Sequence, residues 1–506
     1  MNFSLSDRRI SQEQADALIL PVFKGEDILR LRMPRRLKNY VNSAAVESGD
    51  FTGKEQEVFF LPAPSPLARL KRIFLLGLGE PEKYDAEVFR KCLAAAVRKM
   101  EHFQVTRAVL PVRTRLVPGR DWRHFGQLVA EAAELAGYKF DAYKSEEEGA
   151  AAEKAKFEEL VVLGVTEANR RAMEGGLRRG KMISEAVLYT RDLANQPPNV
   201  MNPQRLAEEA QALAAEFDMD CEIVEKNELE KLQMNALLTV GKGSVYAPRL
   251  ILLKYMKGGK DQKPVVLVGK GVTFDSGGIS LKPSKKMDEM KFDMAGGAAV
   301  LGALHAAAKL KLPLNLVGII PAVENLPDGN ASKPGDIVTA MNGKSIEILN
   351  TDAEGRLILA DALVYAQREY DPEKIVDLAT LTGAVVVALG SAAAAVMSRQ
   401  KPFSDELISA AERSGERLWP LPLYPEYFEQ IKSDVADIKN IGGGPAGVTV
   451  GGAFLAHFVP ENRTWAHIDI AGVAWTTKDT PLARKGATGY GVRLLAEWLS
   501  AQVKKN

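Results

Sequence analysis

Short apolar runs that take turns with amphipathic stretches constrain this chain more than any other feature. In the first third, ALILPVF (17 to 23), EVFFLPA (57 to 63), RIFLLGLG (72 to 79), AVLPV (108 to 112) and ELVVLGV (159 to 165) read as buried strands, and residues 84 to 101 and 121 to 137 carry helical periodicity. Such alternation predicts an α/β layer on a largely parallel sheet. A long polar helical stretch, 166 to 193, interrupts it and ends at Asn195-Gln-Pro-Pro-Asn199, where two prolines cannot continue a helix. The alternation then resumes with RLILLKYM (249 to 256), PVVLVG (264 to 269), NLVGIIPAV (315 to 323), KIVDLATL (374 to 381) and AHIDIAGVAW (466 to 475). The predicted fold class is therefore α/β with two domains, each a mixed, largely parallel sheet flanked by helices, joined by a long helix. The boundaries fall at 1–165, 166–194 and 195–506. Residues 336 to 349 read as a hairpin about Asn342-Gly343, the dipeptide of a type I′ turn, which would deliver residues 351 to 356 to a defined edge. The Gly/Ala-rich stretch 441 to 453 reads as a loop opening a helix.

At 506 residues the chain is long enough for each domain to bury its own core. Two cysteines, Cys92 and Cys221, preclude a disulfide framework and fit a reducing compartment. The start, MNFSLSDRRISQEQ, has no apolar signal region, and no run approaches the ~20 apolar residues of a membrane span. A soluble, cytoplasmic protein without a membrane partner is expected. With 66 Lys and Arg against 65 Asp and Glu, the net charge is +1, so no global field draws the chain to nucleic acid or anionic lipid. Local groups, Arg113, Arg115, Arg120 and Arg123 or Arg170, Arg171, Arg178 and Arg179, read first as solvated faces.

Chemistry concentrates in two segments, from Lys270-Gly-Val-Thr-Phe-Asp275 through Asp293, and Asn350-Thr-Asp-Ala-Glu-Gly-Arg-Leu357. Two divalent cations carry four positive charges, which Asp275, Asp293, Asp352 and Glu354 would balance. Lys282 and Arg356 would then leave a cationic site, suited to a transition state that develops negative charge on oxygen. Carboxylate ligands suit Zn, Mn or Mg, and none of the five histidines is spaced i, i+4 from another. Each residue also has an ordinary reading. Lys270 closes a strand, and as a metal ligand it would need a pKa well below ~10.4. Asp293 precedes a helix rich in small residues and reads as its N-cap. Asp352 and Glu354 point to one side of an extended segment, and Gly355 lets the chain turn into a helix over 356 to 370. It is the gathering of four acids at turns beside buried strands that points to metals. Phosphate binding is weakly supported: residues 269 to 273 lack the GxxxxGK[ST] spacing, and Gly77-Leu-Gly79 is followed by Pro81.

NTDAEGRL (350 to 357) resembles the signature of the leucine aminopeptidases, the leucyl or cytosol aminopeptidase family, and VGKGVTFDSGGISLKP (268 to 283) is similar to its partner block. The resemblance continues through DMAGGAAV (293 to 300), DLATLTGA (377 to 384), HIDIAGVAW (467 to 475) and GATGYGVRLL (486 to 495). It implies a metal-dependent aminopeptidase that releases leucine and other apolar residues from peptides and aminoacyl amides, through attack of a metal-bridging water. It implies one metal, Zn or Mn, held by Lys270, Asp275, Asp293 and Glu354, and a second held by Asp275, Asp352 and Glu354. Lys282 would polarise the scissile carbonyl, Arg356 would hold a bicarbonate acting as general base, and the backbone near Leu381 would contact the substrate. Met290, Thr380, Gly383, Ala471 and Ala474 would line the side-chain pocket. A homohexamer is implied as well. Three other readings remain: a two-metal phosphoesterase, a generic metal amidase, and a nucleic-acid-binding regulator that uses the amino-terminal basic groups as an additional role.

Overall fold

The computed structural model describes residues 1–503 except 32, 65–69 and 146–156. The chain folds as two compact units, Met1–Glu185 with Lys478–Arg484, and Ala186–Thr477 with Lys485–Asn506. The division falls inside a helix, Glu167–Asn195, which covers the polar stretch read from the sequence.

The first unit holds β1 (Asn2–Ser6), β2 (Ala15–Val22), β3 (Val58–Pro62), β4 (Leu70–Gly77), β5 (Arg107–Pro111) and β6 (Glu159–Leu163) in the order β1-β6-β5-β2-β4-β3. All neighbours are parallel except β3 and β4. Helices Ala86–Glu101 and Trp122–Ala136 pack Phe89, Leu93, Phe125 and Leu128 into one core cluster with Ile19, Phe74 and Leu110 of the sheet. Each helix starts at an aspartate whose side chain accepts a backbone N–H, Asp85 from Val88 (2.8 Å) and Asp121 from His124 (2.9 Å).

In the second unit, β7 (Asp220–Val224), β8 (Arg249–Met256), β9 (Val265–Gly269), β10 (Gly271–Asp275) and β11 (Asn315–Asn325) are followed by the short β12 (Ile337–Thr339) and β13 (Ser345–Glu347). Then come β14 (Lys374–Ala379), β15 (Ala394–Met397), β16 (Leu418–Pro420), β17 (Ile438–Lys439) and β18 (Trp465–Asp469). The main sheet runs β16-β15-β18-β14-β9-β11-β8-β7, with β10 also on β11. Its centre, β18, β14, β9 and β11, is parallel and buried along its length, as expected of strands covered on both faces by helices. Strands β9 and β10 run in succession along β11, pairing with Leu316–Ile319 and Ala322–Asn325 and breaking at Lys270. At that break the Lys270 N–H turns to Leu378 O (3.0 Å) of β14 and its carbonyl accepts Gly297 N–H (2.8 Å).

Two expectations are corrected. The apolar run 466 to 475 continues β18 only through Asp469; the chain then turns, with Val473 and Ala474 donating to Ile470 O (3.0 and 2.9 Å), before a short strand, Trp475–Thr476, so that apolar residues serve a buried turn. The hairpin of β12 and β13 forms, but not through a type I′ turn. Only Gly343 has positive φ (85°), and a three-residue loop is closed by Gly343 N–H to Ala340 O (2.8 Å) and Ala340 N–H to Lys344 O (2.9 Å). The extra residue lets Met341 N–H reach the buried Asp361 carboxylate (2.8 Å), which anchors the loop to the core. No helix among the described residues is long and apolar enough to cross a membrane.

Candidate metal centre

The parallel strands of the second unit end on one side, where open α/β sheets collect their functional groups. Lys270 follows β9, Thr380 follows β14, and Asp275 and Asn325 end β10 and β11. The small residues of helix Ala295–Lys309 let it sit against these ends. A Cβ added at Gly296 would lie 2.1 Å from Leu378 O, which the backbone cannot yield. This closeness brings Asp293 to Lys270. Asp293 lies in the 3-10 segment Met287–Met294, with Met294 in the capping position, so it is not the N-cap expected from the sequence. Instead its Oδ1 accepts Lys270 Nζ (2.9 Å) and Thr380 Oγ1 (2.6 Å).

Glu354 precedes helix Gly355–Tyr370 with helical backbone angles (φ −79°, ψ −35°) and caps nothing with its side chain. Its Oε1 lies 2.8 Å from Lys270 Nζ. Gly355 is required for space and not for turning: its φ is not positive, and a Cβ there would meet Lys270 Cε at 2.6 Å. Asp352 occupies a turn braced by its own N–H to Asn350 Oδ1 (2.8 Å). The extended pairing of Asp352 with Glu354 is thus corrected, because helix entry begins between them. The two acids face different lysines.

Lys282 Nζ bridges Asp275 Oδ2 (2.7 Å) and Asp352 Oδ1. The other oxygen of Asp275 accepts Gly277 N–H and Asn325 Nδ2, both at 2.8 Å. Asn325 donates also to Thr351 O (3.0 Å), and Thr351 Oγ1 donates to Gly277 O (2.6 Å) while accepting Ser280 N–H (2.8 Å). Asn325 and Thr351 therefore stitch the two acidic segments together. Sequence reasoning gave neither of them a role; the available signal was a polar residue ending the apolar run of β11.

Carboxylate oxygens of Asp275, Asp293 and Glu354, all buried, lie within 4.8 Å of one another, and Asp352 stands outside that group on the Lys282 side. Burial first, then the charge of Glu354, pushes the Asp275 carboxyl up. Burial also raises Asp293 well above the ordinary range, against the attraction of Lys270. Asp352 is raised by burial and by Asp275. Burial alone would lower the Lys270 amine, but Asp293, Glu354 and Asp275 together outweigh it and hold it up as an ammonium. Lys282 is held up against burial in the same way, by Asp275 and Glu354. Glu354 Oε2 is buried with no hydrogen-bond partner. Clustered carboxylates and a spare buried oxygen fit hard or borderline divalent cations, whose binding would release the Lys270 proton.

Arg356 is buried, gives Nη1 to Asn440 O (2.8 Å), and keeps Nε buried without a partner. Burial holds its guanidinium down to about 10, against Glu354 and Asp469, so at neutral pH it remains a cation able to take an anion. Of the expected pocket residues, Met290 is half-buried and packs on the core cluster that contains the buried Ala474. Thr380 is tied to Asp293, and Gly383 opens helix Gly383–Leu389 with free space where a Cβ would stand. Leu381 and Ala471 both donate their N–H to Asp469.

Residues 188–496 match the catalytic domain of the cytosol aminopeptidase family, and residues 19–147 match that family's N-terminal domain. The chain belongs to the cytosol aminopeptidase family. It is similar to a probable cytosol aminopeptidase of Syntrophotalea carbinolica, 47% identical over 465 residues that cover 90% of this chain and 91% of that one. A probable cytosol aminopeptidase of Methylobacillus flagellatus is 42% identical over 507 residues, covering all of both chains. Among solved structures, a mutant of tomato leucine aminopeptidase superposes with a TM-score of 0.87 at 33% identity, over 99% of this chain and 96% of that one. The bottromycin maturation enzyme BotP in complex with Mn superposes with a TM-score of 0.83 at 33% identity, over 97% of this chain and all of that one. As a cytosol aminopeptidase family member the chain is a metal-dependent aminopeptidase, a hydrolase whose substrates are peptides.

Proposed function

We propose that this aminopeptidase uses two divalent cations, Zn or Mn, to release leucine and other apolar residues from the amino ends of peptides and aminoacyl amides. The observation that carries the reading is the buried Glu354 Oε2, left without a partner amid Asp275 and Asp293. An acid oxygen in that position is costly unless a cation meets it. Lys270, Asp275, Asp293 and Glu354 would hold one ion, and Asp275, Asp352 and Glu354 the other. When bound, the ions supply Lewis acidity and lower the pKa of water.

The remaining work falls to side chains. Lys282, partly exposed, donates to the scissile carbonyl oxygen as negative charge grows there. Arg356 stays protonated at neutral pH and has no lone pair to accept a proton, so it is not the base; its unpartnered Nε suits a bicarbonate, which would accept the proton of the attacking water. Met290, Thr380, Leu381, Gly383, Ala471 and Ala474 line the pocket for the first side chain, with the space beside Gly383 open to it. A free α-amine has a lone pair to offer a cation and an amide nitrogen does not, which restricts attack to the amino-terminal residue.

The test is a panel of leucyl, alanyl and acetyl-leucyl amides, assayed before and after chelation. Leucyl amide hydrolysis stops on chelation and returns with Zn, Mn or Co, and the acetylated substrate is not cleaved. Comparable cleavage of acetyl-leucyl and leucyl amides would return the chain to a generic metal amidase.

A further inference from the structure

We propose that Asp469 is a positioning residue that locks together the two segments lining the side-chain pocket, one after β14 and one after β18, and so sets side-chain preference. The proposal rests on the pocket reading given above. Asp469 is the last residue of β18 and is fully buried. Its Oδ1 accepts Leu381 N–H (3.1 Å) and Ala471 N–H (3.2 Å), and its Oδ2 accepts Thr382 Oγ1 (2.6 Å). One carboxylate thereby takes three donors, two from the first segment and one from the second.

The lock extends to the helix that carries Gly383. Thr382 Oγ1 accepts Val385 N–H (3.2 Å), capping helix Gly383–Leu389 while giving its own proton to Asp469. The segments also meet through Ile470 N–H to Ala379 O (2.8 Å). At the far end of the helix they are so close that a Cβ on Gly472 would stand 2.2 Å from Gly390 O. Displacing either segment moves the other.

A buried carboxylate needs its charge met, and the strand supplies the means. His467 lies two residues earlier on β18, on the same face as Asp469. Its Nδ1 is 2.5 Å from Asp377 Oδ1, and Asp377 Oδ2 accepts Trp465 Nε1 (2.7 Å). Burial pulls the imidazole pKa down, but Asp377 and Asp469 together raise it above its ordinary value, so the ring's charged form is favoured beside these buried acids. Among the described residues no bond joins Asp469 directly to the acids or lysines of the metal centre; the peptide between Thr380 and Leu381 that it holds by the N–H accepts Lys270 Nζ at its carbonyl (2.9 Å).

The experiment compares kcat and KM for leucyl and alanyl amides in wild type, Asp469→Asn, Thr382→Val and Thr382→Ser, with hydrogen exchange of residues 380–384 and 470–474 measured in parallel. In Asp469→Asn the ratio of kcat/KM for the two substrates shifts about tenfold or more, mostly through KM, the size set by one lost charged hydrogen bond. Thr382→Val moves the ratio in the same direction by a smaller factor, and Thr382→Ser restores it. Exchange in both segments quickens in Asp469→Asn. A fall by one common factor on both substrates, or an unmoved ratio in active protein, overturns the proposal while leaving the function intact. If Asp469→Asn does not fold, the Thr382 pair decides by the same ratio. If wild type cleaves no aminoacyl amide, the functional reading fails and exchange decides alone: faster segments support the lock, unchanged ones overturn it.

Discussion

The ion pairs of the first unit and the acid cluster of the second hold charge in opposite ways. In the unit on the six-stranded sheet, cation meets acid in small local groups: Arg90 with Glu131 (2.9 Å) and with Glu87, Arg107 with Glu159 (2.7 Å), Arg113 with Glu26 (2.5 Å). Arg115 turns to the same Glu26 (3.8 Å) and over the Phe23 ring, so part of the basic patch read from the sequence is spent inside the unit. In the other unit Lys270 alone faces Asp293 and Glu354, both at 2.8 Å, and Lys282 faces Asp275 and Asp352. A matched buried pair roughly breaks even in folding free energy and needs no further reason to exist. Four acids against Lys270, Lys282 and Arg356 leave negative charge that folding alone gives no reason to bury. Local balance marks architecture, and gathered imbalance marks chemistry.

The sharpest way to break this contrast is to neutralise one acid in each unit. Glu354→Gln is expected to lose ~10²-fold or more of kcat while the protein stays folded, since each charge-stabilising group at a reacting centre is worth about that much. Glu131→Gln, which removes one of the two acids, Glu131 and Glu87, that face the fully buried Arg90, is expected to keep kcat within a small factor and to cost about 1.5–3 kcal/mol of stability, read from denaturant unfolding. Retention of more than about a tenth of kcat in Glu354→Gln, or a comparable activity loss in Glu131→Gln, would erase the distinction.

A smaller effect is expected at Arg356, whose charge belongs to the chemical unit but not to the acid cluster. Arg356→Ala should cut kcat more than it raises KM, as for a group acting in the chemical step. Added bicarbonate should speed wild type in carbonate-depleted buffer and do little for the variant. An equal response in both proteins would make Arg356 a packing cation against the Phe454 ring (6.0 Å).

Where patterning is one-dimensional, the structure was legible in the residues. The run RLILLKYM is β8 to the residue, and the helices over 86–101 and 122–136 lie within a residue or two of their periodic stretches. Strands β1 and β7 were missed because NFSLS and DCEIV are edge strands, half-exposed and polar, with no apolar run to betray them. In the second unit, local spacing misled at Asp352 and Glu354, where a turn and a helix start separate acids that an extended chain would align. Asp469, in contrast, lay within a quoted motif and still carried no signal of its role, because its three donors come from residues 381, 382 and 471, brought together only by the pairing of β14 with β18.

The smallest effect concerns His457, which packs edge-on against Phe428 and is held down to about 4 by burial, with Lys344 and Arg399 adding to it. A histidine whose folded pKa is depressed leaves stability intact above its ordinary value near 6.5 and withdraws it as pH falls from there toward 4. Thermal unfolding across that window should show a shallower fall in Tm for His457→Gln than for wild type. Parallel curves would mean that His457 is not a source of acid sensitivity in this unit.

The central claim is that the acids of the second unit are gathered for two cations. Metal analysis of fully active enzyme, normalised to active chains and repeated on Glu354→Gln, tests it most directly. Two divalent ions per chain in wild type and fewer than one in the folded variant is the predicted result; full activity with less than one ion per chain would contradict it.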